Sequence, residues 1–419
     1  MSERKGTHSH PFRVSLWSNE REIRLDFPEE WDLVECRMAG HNVPPLKDAQ
    51  IHEAFKNPIG TTRIRDLARG KRKVVILFDD LARPTPTGSI LPFVFKELTE
   101  GGLTADKIRL VCATGCHRPL TREEMIRKLG HEVVENYLVF NHNVYEHHVH
   151  VGTTSWGTPV VINREVARCD LKIGIGSIIP HFEAGYGGGA KILMPGVAAI
   201  DAIAHNHIEV AKKNPELVGL GKVKNNPMRL DMEEAVRIAG LDFVVDAVLN
   251  HRKDVLGIFV GDVVDAHREG VAFAKTIYCT ANQGKFDLMV VNTFPVEASP
   301  MKALWPGQQS LNDGGDVVVI WQSTGRTPHY LTGTWGSDYG GRHWGDRPGP
   351  FRFPQARRLL IYTESLSRTE QQWWGPEDRV FWYRDWQKLI DTLKLRHGTK
   401  TRVVIYPYAT LQCPIFEHE

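Results

Sequence analysis

The sequence predicts an α/β protein of two domains, each built on a mostly parallel sheet flanked by helices. Three observations support this prediction. Short, continuous apolar runs, typical of strands covered on both faces, alternate with segments of helical pattern. The alternation restarts near Thr276, and 419 residues exceed the size of one ordinary domain. We therefore predict an N-terminal domain over residues 1–280 and a C-terminal domain over residues 281–419.

In the N-terminal domain, the first 70 residues are typical of short strands and turns and end in a helix near Thr61–Ala68. Pro92 is expected in the first turn of its helix, where proline is tolerated, and Thr121 with Glu124 has capping-box spacing. The remaining predicted strands and helices alternate: Val74–Phe78, Leu91–Leu98, Ile108–Ala113, Thr121–Leu129, Leu171–Ile179 and Asp201–Lys213.

In the C-terminal domain, three apolar runs predict strands at Leu288–Val291, Val317–Ile320 and Val403–Ile405. Between the last two lies Thr324–Pro354, which is rich in Gly, Pro, Trp and Arg. We predict that this stretch is a long ordered loop, and such loops often line sites.

Composition excludes some classes of partner. Lys plus Arg is 52 and Asp plus Glu is 50, and the net charge of +2 argues against a general binder of nucleic acids or membrane surfaces. The N-terminus lacks the apolar core of a secretory signal, and no apolar run is long enough to span a bilayer. The six cysteines are scattered, and no second pair completes a zinc site with Cys112 and Cys116. We expect a cytoplasmic protein with reduced thiols.

Chemically useful side chains follow three predicted strands directly. Asp80 and Arg83 follow the first, His117 the second, and His181 and Lys191 the third. Because ligands bind at the carboxyl ends of strands in open α/β sheets, we expect these five side chains to gather at one face.

Each of these groups also has a purely structural interpretation. Asp80 and Arg83 can form a loop ion pair, and His117 and His181 can bond to nearby backbone. For any one of these residues, both the structural and the functional interpretation are open. Five such residues at the ends of consecutive strands favour a functional site.

Three glycines, Gly187–Gly189, precede Lys191. They can simply form a turn, but they also suit a backbone that must approach a ligand closely. The apolar residues Ile192–Met194 follow, so Lys191 is expected to be partly desolvated. Desolvation lowers the pKa of a lysine and makes its amine nucleophilic.

A candidate metal ligand lies further along, in the segment that contains His205 and His207. On a helix these side chains project about 200° apart, so we expect only one to face a site and the other to be a surface or capping histidine. Imidazole suits nickel, zinc or copper. The neighbouring sequence has no Cys-rich or carboxylate-rich cage, so a metal here needs ligands from outside the protein.

Together these segments resemble the nickel-dependent lactate racemases. The segments that carry the resemblance are DDLARPTP, ATGCHRPLT and PHFEAGYGGGAKILMPG, with His207 sixteen residues after Lys191. The resemblance extends through most of the chain and is strongest over Asp79–His207.

The resemblance implies a nickel-pincer nucleotide cofactor, a pyridinium mononucleotide with two sulfur-containing arms. Lys191 matches the lysine that carries it through a thioamide, and His207 matches the protein ligand of the nickel. His117 and His181 match the two catalytic histidines. Arg83 is then expected near the substrate carboxylate, and Asp80 is expected to orient His117.

The implied reaction inverts C2 of a 2-hydroxy acid by hydride transfer to and from the cofactor, which separate cofactor-synthesis proteins must supply. The second domain is expected to close the active-site cleft. Lys302 matches a lysine that contacts the substrate carboxylate, but Ser299 stands where the family pattern has glutamine. This departure leaves lactate and a larger or more hydroxylated acid both open as substrates.

The second domain contains several bulky tryptophans, including Trp305, Trp335, Trp373 and Trp374. We expect most of them in core packing and one of them as a wall of the substrate pocket.

Three alternatives stay open at this point. A zinc metallohydrolase would use His117, His181 and His207 around one metal. A nucleotide- or anion-binding protein without enzymatic activity would use the glycine loop and Arg83. An inactive relative would retain the fold, although all the matched residues are present.

Overall fold

The computed structural model describes residues 7–322, 351, 353–366, 371 and 374–415. These residues divide into two compact units: residues 42–276 form the first, and residues 7–41 with those described from 277 onward form the second. Most of the stretch Thr324–Pro354, including Trp335, lies outside the described residues, as does Trp373.

The first unit is built on a six-stranded sheet. Its strands lie in the spatial order Val255–Gly261, Phe243–Leu249, Leu171–Ser177, Val74–Phe78, Ile108–Cys112 and Leu138–Asn141. All neighbours are parallel except the first pair, which is antiparallel. Three adjacent strands in the middle of the sheet are buried along their whole length, as expected for strands covered on both faces.

Two separate cores lie on the two faces of this sheet. Alternate residues of Val74–Phe78 belong to different cores, because successive side chains of a strand point to opposite faces. On one face they pack with apolar residues of helices Asp48–Lys56 and Thr87–Glu100, and on the other with those of Pro227–Ala239. The other described helices of this unit are Ile64–Ala68, Arg122–Leu129, His131–Asn136, Arg164–Ala167, Ile200–Ala204 and Asp265–Tyr278.

Short strands complete the first unit. His148–Thr153 pairs antiparallel with Pro159–Asn163. Pro180–His181, Ala184–Tyr186 and Gly219–Leu220 form a small sheet directly after Leu171–Ser177. This small sheet gives the segment after His181 a defined backbone, which matters for the site described below.

Most predicted elements of the first unit are confirmed with small changes at their ends, but the helix predicted at Asp201–Lys213 is an α-helix only over Ile200–Ala204 and continues as a π-helical segment over His205–Val210. Val74–Phe78 matches its prediction, and the hydroxyl of Thr121 caps Arg122–Leu129 in a capping box with Glu124. The position of Pro92 is corrected. Its helix begins at Thr87, so Pro92 lies inside the helix and not in its first turn. The strand predicted to end at Ile179 ends at Ser177, and the N–H of Ile178 makes the last bond of its ladder with Phe243–Leu249, to Ala247 O at 2.9 Å.

The structure also contains elements for which the sequence pattern led to no prediction. They include the helix Pro227–Ala239, which buries Arg229, Asp231 and Glu233. Charged residues at buried positions interrupt the apolar stripe by which a helix is recognised. The pattern therefore understates how deeply this helix is packed.

The second unit is built on another six-stranded sheet, which is entirely parallel. Its strands lie in the spatial order Val380–Tyr383, Arg358–Tyr362, Leu311–Ile320, Phe286–Asn292, Arg402–Tyr406 and Asp32–Glu35. Helix Trp386–His397 packs on one face through Leu389, Ile390 and Leu393. Trp374 is buried in the core of the other face, which confirms core packing for this tryptophan. A small strand pair, Cys279–Thr280 with Cys413–Pro414, completes this unit.

The N-terminal segment is a correction to the predicted domains. We assigned residues 1–280 to one domain, but residues 7–41 belong with the second unit. Asp32–Glu35 pairs parallel with Arg402–Tyr406. The hairpin of Thr7–Val14 and Arg21–Pro28 contributes Phe12, Leu25 and Phe27 to the second unit's core. Burial of these apolar side chains explains why residues 7–41 join the second unit.

Among the described residues, no helix is long and apolar enough to cross a membrane. The six cysteines form no disulfide with one another.

Candidate active site

The first pair of predicted residues meets at the carboxyl ends of two strands. Nδ1 of His117, which follows Ile108–Cys112, lies 2.6 Å from Oδ2 of Asp80, which follows Val74–Phe78. These strands are parallel neighbours in the sheet, which brings the two loops together. The predicted contact between Asp80 and the histidine is therefore present.

Asp80 is a buried carboxylate that its neighbours keep charged. Its other oxygen, Oδ1, accepts from the backbone N–H of Ala82 at 2.9 Å. Burial raises the pKa of Asp80, but His117, Arg83 and the Ala82 N–H outweigh this, and the pKa lies below its ordinary value. Because Asp80 is an acceptor, the neutral His117 ring carries its proton on Nδ1 and presents a lone pair at Nε2.

Arg83 is half-buried, and its Nη1 donates to Ala82 O at 3.0 Å. Its backbone carbonyl and that of Asp80 both accept from Nζ of Lys128, at 3.2 and 3.1 Å. Lys128 thus fixes the backbone on which both predicted residues stand.

Lys128 also pairs with a second buried acid, Asp79, at 2.6 Å. Thr85 donates to Asp79 at 2.5 Å, and burial raises the pKa of this carboxyl group above its ordinary value. The sequence prediction missed Lys128, because a lysine in the last turn of a surface helix is usually solvated. The only signal was the second aspartate beside Asp80.

His181 has a different environment from that of His117. Its Nδ1 accepts from the backbone N–H groups of Glu183 and Ala184, each at 3.2 Å. With Nδ1 as an acceptor, the neutral ring carries its proton on Nε2. The ring is buried, and Phe182 stacks beside it with a centroid distance of 5.0 Å.

The glycine segment before Lys191 is packed tightly against protein atoms. A Cβ at Gly187 would lie 2.9 Å from Ser177 O, one at Gly188 would lie 2.9 Å from Oδ1 of Asp246, and one at Gly189 would lie 2.8 Å from the His267 ring. Gly188 and Gly189 also have positive φ, at 75° and 59°. Protein neighbours and backbone conformation therefore account for these glycines by themselves, and the close approach of a ligand to this backbone stays a prediction.

Buried polar side chains hold this glycine segment in place. Asp246 accepts from the Gly189 N–H at 2.7 Å, and His267 donates from Nε2 to Gly187 O at 2.9 Å. Arg229 donates to Gly188 O at 3.0 Å and to the carbonyls of Ala184 and Tyr186. None of these three side chains was predicted, since each comes from a later, separate element. Burial raises the pKa of Asp246 to about 7.

Lys191 lies in the short 3₁₀ helix Gly189–Ile192 and is half-buried. Burial, with the positive charges of Arg229 and Arg83, lowers the pKa of Lys191 to about 7, and Glu183 offsets part of this effect. A large share of the amine is therefore neutral near pH 7, as a nucleophile requires.

His207 lies in a π-helical segment, His205–Val210, that follows Ile200–Ala204. Its Nδ1 donates to Ile203 O at 3.0 Å, which leaves Nε2 with the lone pair. Burial and the charge of Lys191 lower the pKa of His207 to about 3. A neutral imidazole with a fixed tautomer is the form that binds a metal ion.

The neighbouring histidine points to other partners, as predicted. Nδ1 of His205 lies 2.8 Å from the hydroxyl of Thr158, which in turn donates to Asp231 at 2.7 Å. His205 stands at the C-cap position of Ile200–Ala204, in agreement with our expectation of a capping histidine, and it also takes part in a polar network.

Within the part of the chain that the structure describes, no three His, Cys, Asp or Glu side chains form a group that could hold a metal ion. The three histidines of the zinc alternative therefore form no such cluster. Any metal on His207 needs further ligands from a second molecule.

The predicted residues of the second unit lie around a 3₁₀ helix, Pro300–Leu304. Lys302 is buried, its Nζ lies 5.7 Å from the centre of the Trp305 ring, and its backbone N–H donates to Ser299 O at 3.0 Å. Their roles in substrate binding stay predictions.

Comparison with known proteins gives sequence relatives of one kind. Residues 19–218 match the lactate racemase N-terminal domain family. The lactate racemase of Thermoanaerobacterium thermosaccharolyticum is 31% identical over 315 residues, which cover 73% of this chain and 73% of that protein. The lactate racemase of Lactiplantibacillus plantarum is 31% identical over 276 residues, which cover 64% of this chain and 65% of that protein.

Solved structures support the fold. The lactate racemase apoprotein from T. thermosaccharolyticum superposes with a TM-score of 0.72 and 22% identity, over 97% of this chain and 100% of that one. A structural-genomics protein from Thermotoga maritima superposes with a TM-score of 0.64 and 17% identity, over 88% of this chain and 99% of that one. The predicted α/β fold is confirmed.

Proposed function

The chain belongs to the lactate racemase family, and on that premise we propose that it inverts C2 of a 2-hydroxy acid with a nickel-pincer nucleotide as cofactor. It is an isomerase of this family. The observation that carries the proposal is the His117–Asp80 pair, 2.6 Å apart at the strand ends, because it presents a general base there. The Lys191 segment follows the neighbouring strand Leu171–Ser177, and the charge of Arg83 helps to lower the pKa of Lys191.

The residues proposed to hold the cofactor fit its chemistry. Lys191 supplies an amine of which a large share is neutral near pH 7, as covalent attachment requires. His207 supplies one lone pair at Nε2, and the cofactor brings the other ligands of the nickel. When bound, the nickel-pincer nucleotide accepts the hydride from C2 and returns it. Separate cofactor-synthesis proteins must make this group.

His117 takes the proton of the C2 hydroxyl at Nε2. Asp80 holds Nδ1–H and stabilises the imidazolium that forms, so the ring gains a charge beside an existing opposite charge. Loss of the hydride from C2, with its electron pair, would leave a 2-keto acid. Return of the hydride to the other face, with the proton passing from Nε2 of His117 back to the oxygen, would complete the inversion.

His181 begins with its proton on Nε2 and donates a hydrogen bond to the C2 oxygen when that oxygen lies on its side. A neutral imidazole can polarise a carbonyl in this way without becoming charged. To accept a proton at Nε2, His181 must move its ring proton to Nδ1, where two backbone N–H groups now donate.

We propose that Arg83 binds the substrate carboxylate, since a guanidinium holds a carboxylate through two parallel bonds. Lys302 and Ser299 are proposed substrate contacts of the second unit. Lactate and a larger or more hydroxylated 2-hydroxy acid both remain candidate substrates.

The proposal is tested on protein made together with the cofactor-synthesis enzymes. Intact-mass and nickel analysis is expected to give one nucleotide adduct at Lys191 and about one nickel per chain, as a single His207 ligand implies. Lys191→Ala is expected to carry no adduct and to have no activity. Full activity of this variant would overturn the proposal.

A second experiment separates hydride transfer from proton abstraction. Racemisation of lactate, or of another 2-hydroxy acid that proves active, is run in D₂O and the product is analysed by NMR. Hydride transfer keeps the original hydrogen at C2, because that hydrogen never exchanges with solvent. Deuterium at C2 would instead mean that a base removes the C2 proton.

A further inference from the structure

Helix Pro227–Ala239, which we call the bracing helix, buries three charged side chains: Arg229, Asp231 and Glu233. Arg229 and Asp231 are both 0% exposed. Burying a charge is costly unless it is paired and hydrogen-bonded. The partners of these two side chains therefore indicate what the helix does.

Arg229 is directed to the segment that carries Lys191. Its guanidinium donates to the carbonyls of Ala184, Tyr186 and Gly188. These carbonyls belong to the strand and glycine turn that lead directly into the Lys191 helix. One side chain thus fixes three points of the backbone before Lys191.

Asp231 is directed to the segment that carries His207. Its carboxylate accepts from Thr154 at 2.6 Å, from Thr158 at 2.7 Å and from the amide of Asn206 at 2.6 Å. Asn206 is fully buried and stands immediately before His207. The Thr158 hydroxyl also contacts His205, so the residues on the N-terminal side of His207 are held by one network.

The form of the His207 segment explains why it needs such support. Residues 205–210 make a π-helical turn, a rare conformation that is found mostly as single turns at functional sites. Apolar packing alone would hold the bracing helix as well as these charges do, since buried ionic groups add little net stability. Their directed hydrogen bonds instead select one backbone position for each segment.

We propose that Arg229 and Asp231 are positioning residues, which set the Lys191 and His207 segments against one helix before the cofactor binds. This inference rests on the proposed function, because it takes Lys191 and His207 as the two anchors. The bracing helix then fixes the Lys191 amine and the metal-binding nitrogen of His207 in position relative to each other.

The test begins with hydrogen–deuterium exchange on the apoprotein, which needs neither cofactor nor substrate. Asp231→Asn is expected to speed exchange of amides 205–210 about tenfold, the effect of losing a charge-assisted hydrogen bond, with little change in amides 184–191. Arg229→Lys is expected to speed exchange of amides 184–191, with little change in amides 205–210. Arg229→Met and Asp231→Leu are the stronger variants, and the conservative pair keeps the test valid if these fail to fold.

Matched controls lie on the same helix. Arg237→Met removes an exposed arginine, and Glu234→Gln alters a carboxylate that bonds only to Ser155 in its described hydrogen bonds. Neither is expected to change exchange in the two anchor segments. If both segments respond alike in every variant, or if neither responds, the positioning role is overturned.

The loaded protein gives a second readout. Arg229→Lys is expected to lower the fraction of chains with an adduct at Lys191, and Asp231→Asn to speed nickel loss to a chelator about tenfold while the adduct remains. Unchanged adduct and nickel retention in both variants would contradict the inference. If wild-type protein carries no adduct at all, the proposed function fails, whereas the exchange experiment still decides the positioning role.

Discussion

His117 and His181 follow two strands of the same sheet, yet the protein surrounds them with opposite kinds of hydrogen-bonding group. Nδ1 of His117 faces the Asp80 carboxylate, an acceptor that carries a charge. Nδ1 of His181 faces two backbone N–H groups, which are donors. The first ring presents a lone pair at Nε2, and the second presents a proton.

These opposite hydrogen-bonding partners indicate that two histidines of one site can have different roles. A carboxylate selects the tautomer with the proton on Nδ1, whereas backbone N–H groups select the tautomer with the proton on Nε2. The resemblance to the family assigns both residues to catalysis. In the proposed mechanism, the local hydrogen bonds assign proton transfer to His117 and hydrogen-bond donation to His181.

Substitution of the two histidines tests this division of roles directly and has the largest expected effect. His117→Gln is expected to lower kcat/KM about 10³-fold, because proton transfer is lost. His181→Gln is expected to cost only about tenfold, because its amide still donates a hydrogen bond. Chiral chromatography measures racemisation, and the Lys191 adduct is quantified in each variant as a control. Equal losses would mean that both rings transfer protons.

Substitution of Asp80 further tests the difference between the two histidines, because it is expected to give His117 the tautomer of His181. The amide of Asp80→Asn can donate to Nδ1, so the ring proton moves to Nε2 and kcat/KM is expected to fall about 10²-fold. The ¹⁵N shifts of the imidazole report the tautomer in the apoprotein. Asp79→Asn is the matched control, because Asp79 pairs with Lys128. A tautomer that stays unchanged in Asp80→Asn would contradict the role of this carboxylate.

The backbone beneath Asp80 rests on Lys128, whose side chain is 0% exposed. Lys128→Met leaves Asp79 buried without its cation and is expected to lower the free energy of unfolding by about 3 kcal/mol. Denaturant unfolding measures it. The double variant with Asp79→Asn is expected to recover part of the loss, and exposed Arg127→Met to cost little. No recovery in the double variant would assign the loss to packing alone.

Lys191 lies in the segment after His181, and its proposed role as a nucleophile depends on a lowered pKa. Since the pKa is about 7, its neutral fraction rises with pH through that value. Acylation of Lys191 in the apoprotein is expected to rise about tenfold between about pH 6 and about pH 8 and then level off, whereas an ordinary lysine continues to about pH 10. Exposed Lys212 serves as the internal control. A Lys191 profile that follows Lys212 would refute the lowered pKa.

Sequence patterns predicted most of the central strands, but they did not predict the buried polar side chains that hold the site segments in place. Val74–Phe78 was predicted to the residue because continuous apolar runs identify strands covered on both faces. The strand ends alone predicted that Asp80 and His117 lie at the same face of the sheet, and the resemblance to the family implied their contact. Arg229, Asp231, Asp246 and His267 escaped prediction, because each acts on a segment many residues away in the chain.

By itself, the sequence determined the α/β class, the central strands and the candidate residues at their carboxyl ends, because local apolar patterns and short motifs carry this information. Only the tertiary structure decided which unit the first residues join, why Gly187–Gly189 must be glycine, and which nitrogen of each histidine holds the proton. These properties depend on contacts between distant segments, such as the Asp246 carboxylate against Gly188. No local pattern records such a contact, since its two sides are specified in separate parts of the chain.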